Sequence, residues 1–439
     1  LRRRSPASRR TSTACSSRCG RRPPARSSRA CCRSASSRPH PPCCASAHPP
    51  ARPRAVSMHT TSEDADMRAL QWHGPRDVRL VEIDPPRVGP GDVRIAIAYC
   101  GICGSDLHEY ADGPHAIPVD TPHPLSRRTA PLTLGHEFCG TVVEVGGDVT
   151  ALRAGDRVAV EPEYRCHQCA YCRSGSYNLC VSMGFAGLMG DGGMADFAVV
   201  PAYMLHRLPD AVSLEQAAVM EPAAVALHAL RRGELRLGET CAVFGLGPIG
   251  LLLIMLAKLQ GATTIVAVDV SPERLAAATR FGATHTFDAR APGAPALQDA
   301  IRAATGGLGV DASFEAAGLP ATFEAAMQAL RKGGRVVMVG LMPHAGFDAF
   351  RAVNDELTFT ASVGYRHAYE DLLRIVASGA LDLTSIVTRT VSLEDAVADG
   401  FDALLADRAQ IKILVSPAQR PARRAHTIGS VEHESSVGV

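Results

Sequence analysis

No stretch of this sequence is apolar enough to cross a membrane. The aliphatic run Leu251–Leu256 is far shorter than the roughly 20 residues that a membrane-spanning helix needs. A secretory signal with an apolar core is also missing, so the cysteines are expected to stay reduced in the cell. No internal repeat is found, which argues against a solenoid or a propeller. Together these absences favour a cytoplasmic globular protein without a membrane partner.

The first 57 residues lack both acidic residues and lysine. They contain fourteen arginines and six cysteines, with many serines and prolines, and so cannot bury enough apolar surface to fold. An organelle transit peptide has a similar composition, but the chain starts at Leu1 and its prolines would interrupt an amphipathic helix. We interpret residues 1–57 as a disordered leader or a non-native extension, with Met58 and Met67 as possible start sites.

The positive charge of the chain is concentrated in this leader. The whole sequence has 46 basic and 44 acidic residues, a net charge of +2. Without residues 1–57, 32 basic residues remain against the same 44 acidic ones, a net charge near −12. An acidic body offers no positive surface for phosphates, so we expect no nucleic-acid partner.

The region from Met67 to Val415 has the length of two globular domains. Residues 416–439 are polar without periodicity, and we expect a disordered tail. Short β-branched runs separated by turns predict a β-rich domain up to about Val200. Beyond about residue 240, strands alternate with helices of ten or more residues, which indicates a parallel sheet with crossover helices.

The last predicted elements suggest that the chain returns to complete the first domain. The predicted strands are Val78–Ile83, Asp92–Ala98, Gly140–Val145, Arg157–Val160, Thr240–Phe244, Thr264–Asp269, Gly309–Glu315, Gly334–Val339, one near Phe359 and Ile411–Val415. The predicted helices are Glu215–Leu230, Pro248–Leu259, Pro272–Phe281 and Tyr369–Ser378.

Four cysteines have the spacing C-x2-C-x2-C-x7-C within one short loop. Four thiolates this close in sequence can surround one tetrahedral Zn²⁺ without rearranging the rest of the fold. The loop contains few apolar residues, so a bound ion would replace a hydrophobic core there. Free or disulfide-paired thiols are the alternative. The residues of this predicted structural zinc site are Cys166, Cys169, Cys172 and Cys180.

A glycine-rich segment, Gly245–Gly250 (GLGPIG), follows a predicted strand and opens a predicted helix. Its glycines permit a tight turn, a close approach of the backbone to a pyrophosphate, and close helix–strand packing. Asp269 ends the next predicted strand, where a carboxylate can accept from both ribose hydroxyls. A simple packing turn is the alternative. The residues predicted to bind the dinucleotide are Gly245, Gly247, Pro248, Ile249, Gly250, Asp269 and Arg274.

The choice between NAD and NADP depends on two residues of this region. The negative charge of Asp269 would repel a 2′-phosphate, which favours NAD. Arg274, five residues further on, keeps NADP open as an alternative.

A second set of metal-binding residues lies outside the four-cysteine loop. One thiolate, one imidazole and one or two carboxylates are provided by Cys103, His136, Glu137 and Glu221. Such a set leaves a coordination position for water or substrate, as a catalytic zinc site requires. Taken singly, Cys103 could be a small buried hydrophobic residue and His136 a hydrogen-bonded core histidine. Beside a nucleotide-binding fold, the set favours a catalytic metal.

These motifs are similar to those of the zinc-containing medium-chain alcohol and polyol dehydrogenases, over essentially all of Met67–Val415. Glu221 with Pro222 stands where simple alcohol dehydrogenases carry a third cysteine ligand, which favours the polyol branch. The matching stretches are Tyr99–Tyr110 (YCGICGSDLHEY), His123–Arg127 (HPLSR), Pro131–Val145 (PLTLGHEFCGTVVEV), Val363–Tyr365, Ile375–Leu383 and Lys412–Pro417.

The resemblance implies an α/β protein with two domains. A GroES-like, β-rich zinc catalytic domain would comprise residues 67–222 and 360–415, and a Rossmann NAD-binding domain with a doubly wound parallel sheet would comprise residues 223–359. Residues 1–57 and 416–439 would lie outside both domains.

The resemblance also implies roles for the site residues. Cys103 and His136 would bind zinc, and either Glu137 or Glu221 would supply the carboxylate, with exchange between them during turnover. Asp106 would orient the imidazole of His136. The two remaining residues, Ser105 and His108, resemble the family's proton relay, although His108 could equally be a solvated loop histidine.

The implied reaction is reversible hydride transfer between NAD and a secondary vicinal diol or its α-hydroxyketone. A sorbitol, other polyol or threonine dehydrogenase of the same family is the nearest alternative. A nucleotide-binding protein without turnover is a more remote one. The expected partners are the small-molecule substrate and further copies of the chain, as a dimer or tetramer.

Overall fold

The computed structural model describes residues 66–290 and 297–419. The predicted leader, residues 1–57, lies outside the described residues, as does the predicted tail beyond residue 419. No helix within the described ranges is long and apolar enough to span a membrane.

The described residues form eighteen strands in four sheets. The strands are Met67–Gly74 (β1), Asp77–Ile83 (β2), Asp92–Gly101 (β3), Leu132–Thr133 (β4), Glu137–Val145 (β5), Arg157–Val160 (β6), Glu163–Tyr164 (β7), Gly184–Phe185 (β8), Phe197–Pro201 (β9), Leu205–Arg207 (β10), Thr240–Phe244 (β11), Thr264–Asp269 (β12), His285–Asp288 (β13), Val310–Glu315 (β14), Leu330–Met338 (β15), Thr358–Ala361 (β16), Val387–Val391 (β17) and Lys412–Val415 (β18).

Helices connect most strands of the second half. The α-helices are Gly104–Asp112 (α1), Ala170–Arg173 (α2), Leu214–Ala217 (α3), Met220–Arg232 (α4), Pro248–Gln260 (α5), Pro272–Phe281 (α6), Leu297–Ala304 (α7), Pro320–Gln328 (α8), Ala349–Asn354 (α9), Tyr369–Ala377 (α10) and Ala403–Ala406 (α11). Tyr177–Leu179, Ala202–Met204 and Leu383–Ile386 are 3₁₀-helices, and Ala396–Asp402 is a π-helix.

A seven-stranded sheet carries the first half of the chain. Its order is β10-β6-β5-β3-β18-β17, and β9 also pairs with β3. Buried and partly buried residues alternate along most of β3, as expected for a strand with one face on the core. The last strand, β18, pairs antiparallel with β3, with Leu414 opposite Gly101. The last strands of the described residues therefore return to the sheet of β3, as the predicted return of the chain requires.

A six-stranded parallel sheet carries the second half, in the order β13-β12-β11-β14-β15-β16. Apart from its first residue, β11 is buried throughout, as expected for a strand covered by helices on both faces. The connection from β11 runs to β12 on one side, whereas the connection from the adjacent β14 runs to β15 on the other side. Ligands of doubly wound sheets bind in the crevice at this point.

The single helix predicted at Glu215–Leu230 is wrong, because the chain forms two helices there. Ser213 caps the short α3 in a capping box with Gln216, and α4 begins at Met220. Pro222 explains the break, since it has no N–H to donate to the carbonyl of residue 218. It is tolerated within the first turn of α4. The break places Glu221 at the start of a new helix.

Eight of the eighteen strands in the described residues were not predicted, among them the first, β1. Five of its first six residues are buried, so the period-two pattern of a strand with one wet face is absent. The ten predicted strands match observed ones to within a few residues. The largest shift is at β15, which begins at Leu330 rather than Gly334.

Candidate active site

The four cysteines of the predicted structural site converge on one point. Their Sγ atoms all lie within 4.8 Å of one another, with 3.9 Å between those of Cys166 and Cys172. None of the cysteines in the described residues forms a disulfide. Backbone amides donate to the sulfurs, for example from Cys172 to Cys169, and this lowers the pKa of the Cys169 thiol to about 6. Thiolates arranged in this way fit a tetrahedral zinc ion.

This loop is hydrogen-bonded to a segment nearly 200 residues further along the chain. Asn178 donates from Nδ2 to the carbonyl oxygen of Val363 at 3.0 Å. The backbone amide of His367 donates to the Tyr177 hydroxyl oxygen at 2.6 Å, and the ring Nε2 of His367 lies 3.0 Å from the carbonyl oxygen of Gly175. The four-cysteine loop therefore fixes the course of residues 363–367.

We expect a Cys172→Ser variant to contain one zinc ion per chain instead of two. Three ligands hold the ion poorly, and the loop has few apolar contacts to replace it. We therefore expect a fall in Tm of about 10 °C. Elemental analysis and thermal denaturation measure the two effects. Tyr171→Phe, at a half-exposed residue of the same loop, is the matched control and should change neither. Unchanged zinc content in Cys172→Ser would show that the loop holds no metal.

Cys103, His136 and Glu137 form a second cluster, with one ligand atom of each within 4.8 Å of the others. Cys103 immediately precedes α1, and the other two residues lie where β5 begins. Gly135, just before them, has a φ of +93°. A Cβ atom there would lie 2.4 Å from the Sγ of Cys100, so only glycine fits this approach.

Asp106 and Ser105 each lie close to one ring nitrogen of His136. Asp106 Oδ1 is 3.5 Å from Nδ1, and Asp106 Oδ2 accepts from the backbone amide of Cys103 at 2.8 Å. Ser105 Oγ is 3.4 Å from Nε2. His108 is exposed on α1, with its ring 6.4 Å from that of His115. The structure thus brings Asp106 and Ser105 to the cluster and leaves His108 at the solvent side.

Glu137 is paired with a lysine that the sequence analysis missed. Lys412 Nζ donates to its two carboxylate oxygens at 2.8 and 2.7 Å and to the carbonyl oxygen of Ile102 at 2.9 Å. Both charged side chains are at most 1% exposed. A single lysine in the apolar strand β18 was the available signal, because a buried cation requires an acidic partner.

Glu221 is also buried, but it does not belong to the cluster of three. Burial raises the pKa of its carboxyl group to about 7, and the neighbouring Glu137 adds to the effect while His136 opposes it. The hydroxyl of Tyr365 is fully buried nearby. Tyr365 packs in the same hydrophobic cluster as Met220, the neighbour of Glu221. The site therefore offers two buried carboxylates in different surroundings.

The glycine-rich segment has the geometry of a dinucleotide-binding turn. Gly245 has a φ of +90°, and a Cβ at Gly250 would lie 1.9 Å from the carbonyl oxygen of Gly245. Gly247 caps α5 and has open space around its Cα, which leaves room for a pyrophosphate. Pro248 and Ile249 begin the helix.

Asp269, the last residue of β12, is hydrogen-bonded to the glycine-rich turn. Its Oδ2 accepts from the amide of Leu246 at 2.7 Å, and its Oδ1 accepts from the amides of Val270 and Ser271. Arg274 donates from Nε to the carbonyl oxygen of Arg408 at 3.3 Å. The acid is thus fixed beside the glycine-rich segment.

Comparison with known proteins identifies the family. Residues 89–210 match the model of the alcohol dehydrogenase GroES-like domain, and residues 248–378 match that of the zinc-binding dehydrogenases. An (R,R)-butanediol dehydrogenase of Bacillus subtilis (strain 168) is 43% identical over 80% of this chain and 100% of its own length. The chain belongs to the zinc-binding dehydrogenases.

One further relative and two crystal structures extend the comparison. A sorbitol dehydrogenase of the same bacterium is 34% identical over 82% of this chain and 99% of its own length. The crystal structure of the 2R,3R-butanediol dehydrogenase from Bacillus subtilis superposes with a TM-score of 0.75, over 80% of this chain and 99% of that one, at 43% identity. A zinc-binding dehydrogenase from Sinorhizobium meliloti 1021, bound to NADP, gives 0.72 at 30% identity, over 80% and 100% of the two chains.

Membership of the zinc-binding dehydrogenases confirms the predicted enzyme class and fold class, an α/β chain with a GroES-like domain and a Rossmann-type parallel sheet. It also agrees with the predicted cofactors, zinc and NAD. The motif stretches were expected to resemble butanediol dehydrogenases most within the family, and the 43% identity supports that resemblance.

Proposed function

We propose that this dehydrogenase oxidises a secondary vicinal diol reversibly to its α-hydroxyketone, of the 2,3-butanediol to acetoin type, with NAD⁺ as hydride acceptor. The observation that carries the substrate class is the second buried carboxylate beside the thiolate–imidazole cluster. The named activity of the butanediol dehydrogenase relatives supports the same substrate.

Bound zinc would act as a Lewis acid on the substrate hydroxyl, and bound NAD⁺ would accept the hydride. Cys103 and His136 would hold the catalytic ion, with Glu137 or Glu221 as the carboxylate ligand. Asp106 lies beside Nδ1 of His136, which supports a role in orienting the ring. Ser105, close to the same ring, and the solvent-exposed His108 would pass the hydroxyl proton outward.

A carboxylate that does not bind the metal can accept a hydrogen bond from the second hydroxyl of a diol. Glu221 is suited to this because burial keeps water from competing for its oxygens. In the alternative arrangement Glu137 keeps its ion pair with Lys412, and Glu221 is the carboxylate that would bind the metal. Only the first arrangement, with Glu137 on the metal, leaves a buried carboxylate for the second hydroxyl of the substrate.

We expect kcat/KM for 2,3-butanediol to exceed that for 2-butanol by at least about a hundredfold. A site built to bond a hydroxyl keeps an unpaired buried group when that hydroxyl is missing. Initial rates with the two alcohols and NAD⁺, and with acetoin and butanone and NADH, measure this at fixed pH. Equal rates for the two alcohols would contradict the diol proposal and leave the dehydrogenase class intact.

A sorbitol or related polyol dehydrogenase is the second candidate, favoured by the 34% identity to a sorbitol dehydrogenase. A longer polyol needs more room beyond the second hydroxyl, so the same assay with sorbitol, xylitol and L-threonine separates the candidates. A clear preference for one of these compounds would assign the chain to that activity.

The proposed domain division places residues 67–222 and 360–415 in the catalytic domain and residues 223–359 in the Rossmann domain. The division of the strands between the two large sheets supports it. The two boundaries fall within α4 and β16, so these elements would belong to both domains.

We also propose a cytoplasmic homo-oligomer. β16 is an edge strand of the six-stranded sheet, and the preceding residues carry large exposed apolar side chains. Leu341, Phe350 and Val353 are each at least 80% exposed. A second copy of the chain would cover them. A cytoplasmic location suits two metal sites that depend on reduced cysteines.

A further inference from the structure

The turn between β12 and α6 carries a second carboxylate beside Asp269. Glu273 lies in the first turn of α6, and Ser271 joins the two acids. The amide of Ser271 donates to Asp269 Oδ1 at 2.9 Å, and its hydroxyl donates to Glu273 Oε2 at 2.6 Å. Because Ser271 is only 2% exposed, it holds both carboxylates in a fixed relation.

Glu273 is negatively charged at neutral pH and accessible to a ligand. The hydrogen bond from the Ser271 hydroxyl lowers the pKa of the Glu273 carboxyl group below its ordinary value. A position in the first turn of a helix also favours a negative charge. The side chain itself is exposed to solvent.

The basic residue that follows Glu273 makes a hydrogen bond outside this turn through one of its guanidinium N–H groups. Arg274 donates from Nε to the carbonyl oxygen of Arg408 at 3.3 Å. Next to Arg408, Asp407 adds a negative charge close enough to act on Glu273. Rossmann sites that accept NADP use an arginine in this region to accommodate the 2′-phosphate. Here the turn presents carboxylates instead.

We propose that Glu273 is a second cofactor-specificity residue, which acts with Asp269 to exclude the 2′-phosphate of NADP⁺. The inference rests on the proposed NAD-linked function of the Gly245–Gly250 segment. A 2′-phosphate would add negative charge at the ribose hydroxyl that Asp269 would bind, and Glu273, linked to Asp269 through Ser271, adds a second carboxylate to the same turn. Replacing Asp269 alone therefore leaves one of the two repulsive charges in place.

The test is calorimetric binding of NAD⁺ and NADP⁺ to the full chain with zinc bound, for the wild type, Glu273→Gln, Asp269→Ser and the double variant. Glu273→Gln should tighten NADP⁺ binding about tenfold, as expected for one charge roughly 5 Å from a doubly charged phosphate in water, and leave NAD⁺ binding within about twofold. The double variant should bind NADP⁺ more tightly than Asp269→Ser does. The gain should shrink at high salt, because the charge is exposed.

Glu370→Gln is the matched control, since Glu370 is an exposed acid in the first turn of another helix, α10. It should leave the binding of both cofactors unchanged. An unchanged Kd for NADP⁺ in Glu273→Gln, with normal NAD⁺ binding, would overturn the inference and leave the proposed function standing. A wild type that binds neither dinucleotide would overturn both.

Discussion

A Cys103→Ser variant is expected to lose at least about a thousandfold in kcat while keeping its fold. A serine hydroxyl is a poor substitute for a thiolate ligand, so the Lewis-acid contribution of several kcal/mol would be lost with the ion. Cys103 is partly exposed and precedes α1, so its replacement leaves no large cavity. We expect the zinc content to fall from two ions to one, with only a small change in Tm.

Cys100→Ala is the control for this experiment. Cys100 is a buried thiol three residues earlier that is not part of the metal-binding cluster. It should retain both zinc ions and most of the activity. Turnover of Cys103→Ser at a rate close to that of Cys100→Ala would mean that the reactive metal is bound elsewhere.

A Lys412→Met variant is expected to lose about 3–5 kcal/mol in the free energy of unfolding, because it leaves the buried carboxylate of Glu137 without a counter-charge. Combining it with Glu137→Gln should restore much of this loss, since a neutral amide needs no counter-charge. Urea denaturation of the two variants and the wild type measures both effects.

Lys258→Met, at an exposed lysine of α5, is the matched control and should change stability by less than about 0.5 kcal/mol. If Lys412→Met unfolds at the same urea concentration as this control, the ion pair with Glu137 contributes nothing to stability.

The sequence indicated the four-cysteine site and the nucleotide turn because their residues are close together or follow a fixed spacing, whereas the roles at the second metal cluster came from the family resemblance. Cys166 to Cys180 lie within one loop, and Gly245–Gly250 directly follows a strand. The positive φ of Gly245 and the clash that a Cβ atom at Gly250 would make explain why glycines are required at these positions.

Contacts between distant segments could not be predicted in the same way. The pairing of Lys412 with Glu137 joins residues 275 positions apart, and no local pattern records which acid a buried lysine meets. The same holds for the bond from Asn178 to Val363 and for the turning of Arg274 towards Arg408.

The place of β18 in its sheet has a consequence for biosynthesis. Among the described residues this strand is the last in chain order, yet it lies inside the seven-stranded sheet between β3 and β17. A ribosome-bound chain would therefore have made Cys103, His136 and Glu137 long before Lys412 emerges to neutralise the glutamate. We expect the cluster to mature only once residue 412 has left the ribosome, so that truncation before this residue would leave the buried carboxylate of Glu137 without its lysine partner.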